Sequence, residues 1–335
     1  MFIDLPESFY MKVQYDKNLL MDRKEINIGI SLPVGGGEIR WPEDGRLLED
    51  YARKQNAILT YCETSSTTSQ QSTEINALLL KNIDVLIIAP VNSEEASTIV
   101  EKVKKAGVKV VAYDRMILNS DVDFFVTYSS LSIGELQGRY LTTRAPRGNY
   151  IFLSGGNDDA NSILLKEGAM VYIRPLQAIG NIKIVTDASI NAYNTEVTYN
   201  VVKISLLENN NIVAILAPND AMAGASIKAL EEEGLAGKVL VTGHDAELDT
   251  VKRILNGTQA MTVFTDFRKE AQTAIDIAIN LASNKILNIY PTVYNGEKNV
   301  PSILLTPVTV DKNNVNEVLI NSGYIKFSDI YTLHN

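Results

Sequence analysis

Polar and aromatic side chains that could bind a small polyhydroxylated molecule recur along the chain, each shortly after an apolar, strand-like run. A carbohydrate needs directed hydrogen-bond donors and acceptors for its hydroxyl groups and flat aromatic surfaces for its C–H face. Carboxylates, amides, forked arginine donors and aromatic rings supply these features. Because the carboxyl ends of parallel strands meet at one edge of a sheet, their joint position favours one small-molecule site. These residues are Arg40, Trp41, Asp114, Arg115, Asp158, Asp159, Asn161, Asn191, Tyr193, Asn219, Asp220, His244 and Asp245.

Each of these residues also has an ordinary structural interpretation. Asp114 and Arg115 could form a local ion pair, and Asn219 with Asp220 could cap a helix. The set contains no nucleophile–base–orienter arrangement. The chain has two histidines and one cysteine, which excludes a site built on several histidines and an intrachain disulfide. We therefore expect no enzymatic activity, no metal and no cofactor.

The elements that must position these residues follow a regular alternation. Short apolar runs at 26–32, 57–62, 84–89 and 108–113 alternate with helical patterns, and the alternation restarts after Arg147. The second series has strand-like runs at 149–154, 182–186, 212–217, 238–242 and 260–265. This pattern is typical of βαβ units with parallel sheets. The sequence therefore predicts an α/β fold made of two Rossmann-like lobes.

Composition excludes several other classes of protein. The chain of 335 residues is 45% hydrophobic and 21% charged, as in ordinary globular proteins. Its 31 Lys and Arg against 40 Asp and Glu give a net charge of −9, which disfavours a broad nucleic-acid interface. No apolar run approaches the roughly 18 residues of a membrane-spanning helix. Gly35, Gly36 and Gly37 lack the spacing of a dinucleotide-binding loop, so we expect a flexible loop there.

Five segments carry a family resemblance. They are VVAYDRMI (110–117), RGNYIFLSGG (147–156), APNDAMAGASIKALEEEGLAGKVLVTGHDAEL (217–248), KRILNGTQAMTVF (252–264) and VPSILLTPVTVDKNNV (300–315). These segments, and the order in which they occur, resemble the periplasmic D-xylose-binding proteins. That family belongs to the ribose- and xylose-binding-like group of type I periplasmic sugar-binding proteins. The resemblance covers about residues 26–325. It implies two lobes joined by a three-segment hinge that close on one pentose.

The resemblance also implies a division of the chain. We expect an N-terminal extension at 1–25 and a tail at 326–335. The N-terminal lobe would comprise 26–131 and 267–298, and the C-terminal lobe 132–266 and 299–325.

The sugar ligands of the family can be carried over residue by residue. Tyr193 stands where the family has a second stacking tryptophan, and Asp158 is a rival for Asp159 because the alignment needs a one-residue gap. Thr265 stands where the family has a lysine, so a charged donor is lost. The expected sugar-binding residues are Arg40, Trp41, Asp114, Arg115, Asp159, Asn161, Tyr193, Asn219 and Asp245.

The function implied is that of an extracytoplasmic receptor for D-xylose or a related pentose, with no nucleic-acid partner. We expect it to be held at the membrane by a leader or anchor not present in this sequence. The lead-in of residues 1–25 and its lack of an anchoring cysteine favour a sensor that passes the closed form to a membrane histidine kinase of a two-component system. The alternative is the binding component of an ATP-driven importer, which would contact an ABC transporter permease. A sugar-responsive repressor or an α/β enzyme is disfavoured.

Overall fold

The computed structural model describes residues 25–33, 40–63, 67–157, 159–285 and 290–330, with backbone only at 61–63. Three sequence-based expectations fall outside these residues: the glycine loop at Gly35–Gly37, the role of Asp158, and nearly all of the N-terminal extension. The last five residues of the expected tail, 331–335, also lie outside them. None of the helices in the described part of the chain combines the length and apolar character needed to cross a bilayer.

The first lobe is built on a seven-stranded sheet. All neighbouring strands in it run parallel except β11, which pairs antiparallel with β12 at one edge. The strands are β1 (Asn27–Leu32), β2 (Ile58–Glu63), β3 (Val85–Ile88), β4 (Lys109–Tyr113), β5 (Phe124–Tyr128), β11 (Thr292–Tyr294) and β12 (Asn299–Leu305), in the spatial order β11-β12-β5-β4-β3-β1-β2. The helices of this lobe are α1 (Arg40–Lys54), α2 (Thr68–Leu79), α3 (Ser97–Lys105) and α9 (Phe267–Ala282).

Helices cover both faces of this sheet, which explains why its interior strand β3 is entirely apolar. The four residues of β3, VLII, are completely buried. One face packs against an apolar cluster that includes α1 and α9, and the other against a cluster that includes α2 and α3. Because both faces are covered, a ligand can reach the sheet at the ends of its strands, where polar residues at the carboxyl ends remain accessible.

The second lobe repeats this design on a smaller scale. Its parallel sheet has the order β7-β6-β8-β9, and a bridge from His244 to Val263 connects it to an antiparallel pair, β10 and β13. The strands are β6 (Gly148–Gly155), β7 (Ile182–Ile190), β8 (Ile212–Leu216), β9 (Leu240–Val241), β10 (Met261–Phe264) and β13 (Val308–Asp311). The helices are α4 (Ser130–Arg144), α5 (Ala160–Ala178), α6 (Thr195–Glu208), α7 (Asp220–Glu232), α8 (Leu248–Asn256) and α10 (Phe327–Ile330), with a 3₁₀ turn at Asn191–Tyr193 and a π-helical turn at Asn316–Ile320.

The chain passes between the two lobes three times: after β5, between β10 and α9, and between β12 and β13. The three crossings contact one another. The Tyr128 hydroxyl donates to the Asp266 carbonyl at 3.1 Å and accepts from the Asp266 N–H at 2.9 Å. The Ser129 N–H donates to the Leu305 carbonyl at 3.2 Å. The predicted α/β fold, with two Rossmann-like lobes joined by a three-segment hinge, is confirmed.

Two expected boundaries differ from the structure. We expected 299–325 in the C-terminal lobe, but β12 pairs with β5 of the first sheet, from Ser302↔Phe125 to Leu305↔Tyr128. The third crossing therefore follows Leu305, because the sheet partner decides to which lobe a strand belongs. We expected a tail from residue 326, but Ile330 is 9% exposed and packs in the same apolar cluster as Val251 of α8.

Candidate functional site

A cavity of about 1140 Å³ lies between the two lobes. Its walls come from the carboxyl ends of strands in both sheets and from the hinge. All nine of the expected sugar-binding residues line it: Arg40, Trp41, Asp114, Arg115, Asp159, Asn161, Tyr193, Asn219 and Asp245. Residues separated by up to about two hundred positions in sequence are thus brought to one place.

Backbone conformation marks the same cavity independently. Ten non-glycine residues in the described ranges have positive φ, and five of them are asparagines, which tolerate this conformation well. Other side chains held there cost about 1–3 kcal/mol each and tend to occur at functional sites. The five that are not asparagine all line the cavity: Asp114 (62°), Ala192 (52°), Tyr193 (50°), Asp245 (104°) and Ala246 (54°).

Arg40 begins α1 and enters the cavity from the first lobe. Its guanidinium donates from Nε to Asp44 at 2.9 Å, from Nη1 to Asp114 at 2.8 Å and from Nη2 to Glu270 at 3.0 Å. It also lies 4.2 Å from the ring centre of Phe267. Burial opposes the charge, but the surrounding carboxylates outweigh burial and raise the pKa of Arg40, so the group is a permanent cation.

Trp41 and Arg115 form the neighbouring part of the first-lobe wall. Trp41 is 2% exposed, and the guanidinium carbons of Arg40 and Arg115 lie 5.0 and 5.2 Å from its ring centre. The Arg115 Nε lies 3.9 Å from an Asp114 carboxylate oxygen, so the local ion pair considered above is present but long. The shorter partner of Asp114 is Arg40, which holds this carboxylate at the cavity edge.

Three linked side chains form part of the second-lobe wall. The Tyr193 hydroxyl donates to Asp159 Oδ2 at 2.8 Å, while Asp159 Oδ1 accepts from the Asn161 N–H at 2.9 Å and caps α5. The Tyr193 ring lies over the end of β6 because position 155 is glycine. A Cβ atom at Gly155 would lie 2.5 Å from Tyr193 Cζ, closer than carbon atoms approach.

The two lobes contact each other across the cavity. Asn161 of the second lobe donates from Nδ2 to the backbone carbonyl of Asp114 in the first lobe at 3.2 Å. The same carbonyl accepts from the Thr127 hydroxyl at 2.8 Å. The structure therefore shows the two lobes in direct contact across the cavity.

Asn219 has two roles in the structure. Its Oδ1 accepts from the Met222 N–H at 3.0 Å and caps α7, as its ordinary interpretation predicted, while the residue also lines the cavity. The adjacent Asp220 is fully buried and supports the loop that carries Asp245. Its carboxyl accepts hydrogen bonds from Gln259 and Thr262, both at 2.9 Å, and from the Glu247 N–H at 3.2 Å. Burial raises the pKa of Asp220 to about 7, although these hydrogen bonds oppose the effect.

Glycine is required beside Asp220. A Cβ atom at Gly243 would overlap an Asp220 carboxyl oxygen and lie 2.5 Å from Gln259 Nε2. Two contacts support the strained Asp245–Ala246 pair. The N–H of the following residue, Glu247, donates to the Asp220 carboxyl, and the Asp245 N–H donates to the Val263 carbonyl of β10 at 3.1 Å.

His244 completes this side of the cavity. Its Nδ1 lies 3.4 Å from Asp245 Oδ1, and its Nε2 lies 3.2 Å from the Thr265 hydroxyl. Burial, reinforced by the nearby Arg40 charge and opposed by Asp114, lowers the pKa of His244 to about 3. The imidazole is therefore neutral at physiological pH. The position at which the family resemblance leads us to expect a lysine thus holds a neutral hydroxyl against a neutral ring.

Sequence reasoning identified Asp114 but missed the other two carboxyl groups that hold Arg40, Asp44 and Glu270. Asp44 lies four positions after Arg40 on the same helix, and this spacing could have indicated the pair. Glu270 is the acidic residue on the otherwise apolar buried face of α9, which is the only signal that could have identified it. Within the described ranges, no three His, Cys, Asp or Glu side chains are arranged to hold a metal ion.

Comparison with known proteins identifies the family of this chain. Residues 28–286 match the model of the family described as "Periplasmic binding protein domain". The chain is 39% identical to the D-xylose-binding periplasmic protein of Haemophilus influenzae, covering 92% of this chain and 93% of that protein. It is 36% identical to the protein of the same description in Escherichia coli, covering 93% and 95%.

A solved structure shares both sequence and fold. The solute-binding protein of a carbohydrate transporter from Chloroflexus aurantiacus, in complex with D-glucose, superposes with a TM-score of 0.85 and 32% identity. The match covers 91% of this chain and 98% of that one. The relatives named above are sugar-binding proteins and not enzymes. The chain therefore belongs to the periplasmic binding protein family.

Proposed function

We propose that this protein is an extracytoplasmic receptor that encloses one monosaccharide between its lobes, with D-xylose or a related pentose as the ligand. The observation that carries the proposal is the convergence of nine polar and aromatic side chains from both lobes on one cavity. Family membership and the D-xylose-binding relatives support it.

The lining offers each kind of contact that a sugar needs. Arg40 and Arg115 can donate to sugar oxygens, and the amides Asn161 and Asn219 can donate and accept. The carboxylates at Asp114, Asp159 and Asp245 can accept from hydroxyl groups, and Tyr193 offers an aromatic surface. A hydrogen bond to a charged group contributes about 1.5–3 kcal/mol. A few such bonds reach the ~8 kcal/mol of micromolar affinity.

Closure would allow a partner that binds the surface of the protein to detect whether the cavity is occupied. Donors and acceptors from both lobes bind one sugar only when the lobes are together, so the sugar shifts the population toward the closed form. The Asn161–Asp114 bond links the lobes in that form. A membrane partner that recognises both lobes in this arrangement would detect the ligand.

The names of the relatives favour a pentose but make a hexose the main competitor. The two relatives cited above are named for D-xylose, whereas the C. aurantiacus structure contains D-glucose. Thr265 offers a neutral hydroxyl in place of the expected lysine, and this difference can affect the choice of sugar.

For the output, the C. aurantiacus protein is the solute-binding protein of a carbohydrate transporter, and this favours delivery to an importer. The histidine kinase partner expected from the sequence stays a prediction. Both outputs require the same closed, sugar-loaded form.

A thermal-shift panel of pentoses and hexoses tests the proposal. A ligand that binds only the folded state raises stability by RT ln(1 + [L]/Kd), so a true ligand stands out. Asp245→Ala should reduce the shift strongly, whereas Asp187→Ala should retain it, because Asp187 is exposed, pairs with Lys166 on the surface and lies outside the cavity lining. A panel in which no sugar stabilises the wild-type protein would contradict the proposal.

A further inference from the structure

We infer that Asp44 and Glu270 are positioning residues for Arg40, and that this buried carboxyl pair retains one proton which sugar binding holds in place. The inference rests on the proposed function, since Arg40 matters here as a sugar contact. It predicts that sugar affinity depends on pH although the sugar itself is uncharged.

Three carboxyl groups surround the Arg40 guanidinium. Each of the three guanidinium nitrogens donates to a different carboxyl group, and these come from α1, the end of β4 and α9. Asp44 is 0% exposed, and the Glu270 side chain is 1% exposed even though the residue borders the cavity. Three bonds to three elements fix the guanidinium in position and orientation more strictly than one ion pair could.

Charge does not balance if all three carboxyl groups are ionised. Asp114 has a second cation within reach, the Arg115 Nε at 3.9 Å. Asp44 and Glu270 share the single positive charge of Arg40. Burial of an uncompensated carboxylate costs several kcal/mol, and one proton on the pair removes that charge.

An unpartnered oxygen indicates where the proton resides. The second carboxyl oxygen of Glu270, Oε1, is buried and has no hydrogen-bond partner among the residues that the structure describes. Asp44 Oδ1 is also buried, but the Tyr113 hydroxyl faces Asp44 as a donor. An ionised oxygen without a donor is unfavourable in such a place, whereas a protonated oxygen carries no charge. Burial raises the pKa of Glu270 well above its usual range and that of Asp44 to about 7, in both cases against the attraction of Arg40.

Among the residues that the structure describes, no cation other than Arg40 faces the pair to supply the missing compensation. Arg268, which follows the start of α9, is paired with Asp266 at 2.8 Å. Strand β3, packed against α9, contributes only VLII. The titratable groups that face the pair or Arg40 from the remaining elements are Tyr113 and Asp114 of the first sheet, Tyr128 of β5, His244 of the second lobe and Tyr324 of the C-terminal segment.

Loss of the proton would weaken the sugar site. A neutral Glu270 accepts from Arg40 through a carbonyl oxygen and leaves the positive charge of the guanidinium available to sugar oxygens in the cavity. An ionised Glu270 competes with the sugar oxygens for the same guanidinium. Sugar affinity should therefore be highest while the pair is protonated and should fall as pH rises through the pKa of the pair.

The first test needs no ligand. A protonated carboxyl group absorbs infrared light through a C=O stretch that an ionised carboxylate lacks. The sugar-free wild-type protein should show this band at neutral pH, and Glu270→Gln or Asp44→Asn should reduce it. Asp220→Asn is the control for a buried carboxyl outside the Arg40 site, and it should leave the part of the band that belongs to the Arg40 site. A band unchanged in both Glu270→Gln and Asp44→Asn would overturn the inference.

The second test measures D-xylose affinity by calorimetry from about pH 5.5 to about pH 9. Wild-type affinity should fall about threefold or more across this range, as expected for a modest rise in the pKa of the pair when sugar binds. Glu270→Gln should remove the slope, and the surface variant Asp187→Ala should keep it. Glu270→Ala should bind more weakly than Glu270→Gln, because only glutamine retains an acceptor for Arg40 Nη2.

The outcomes separate this inference from the proposed function. Binding with a flat wild-type profile, or a slope that persists in Glu270→Gln, overturns the inference and leaves the proposed function intact. If no sugar binds, the proposed function fails, and the infrared band alone then decides whether the pair retains a proton. If Glu270→Gln does not fold, as judged by circular dichroism, Asp44→Asn serves in both tests.

Discussion

Replacement of Asp245 by glycine should separate stability from binding. Asp245 has φ of 104°, a conformation that glycine adopts readily and other residues do not. Relief of that strain contributes about 1–3 kcal/mol, and the greater freedom of glycine in the unfolded chain costs about 0.5–1 kcal/mol. The free energy of unfolding should therefore stay level or increase by up to about 2.5 kcal/mol.

Sugar affinity should change in the opposite direction. Loss of the carboxylate removes a charged hydrogen bond of about 1.5–3 kcal/mol, which is about 10- to 150-fold in Kd. Denaturant unfolding and calorimetry with D-xylose measure the two effects. Asn211→Gly is the matched control, because Asn211 has φ of 59° but is exposed and lies outside the cavity lining. A glycine variant that is clearly less stable and binds within twofold of wild type would refute the reasoning.

Three further predictions concern single cavity residues. Trp41 is the only tryptophan, and its ring lies near two cations of the site, so D-xylose should change its fluorescence; a flat titration while calorimetry shows binding would place Trp41 outside the site. The His244 ring should show no titration by NMR between about pH 5 and 8. Since the unfolded chain protonates this ring below about pH 6.5, the contribution of His244 to the free energy of unfolding should be lost as pH falls from there toward 3. An NMR titration midpoint near pH 6.5 that disappears in His244→Gln would contradict this. Gly155→Ala should displace the Tyr193 ring and weaken D-xylose binding more than Tyr193→Phe, which keeps the ring and loses the 2.8 Å bond to Asp159. Equal binding by Gly155→Ala and wild type would contradict the packing argument.

The alternation of elements and the ends of the strands could be predicted from the sequence because both follow local rules. A run such as VLII in β3 indicates a strand buried on both faces, and the parallel arrangement then brings the ends of several strands together. This reasoning identified residues as distant as Arg40 and Asp245, and both line the cavity.

What could not be predicted depends on partners that are far apart in sequence. Glu270 contacts Arg40 across 230 positions, and no local pattern links them. The same applies to β12, which joins β5 in the first sheet although the preceding chain gives no signal for this pairing. The positive φ angles of Asp114 and Asp245 are also set by the surrounding fold and not by the residue type.

A crystal structure of the protein grown with D-xylose tests the central claim most directly. The account predicts one sugar between the lobes, with hydrogen bonds to Asp114 from the first lobe and Asp245 from the second. A sugar bound elsewhere, or contacts with one lobe alone, would contradict it.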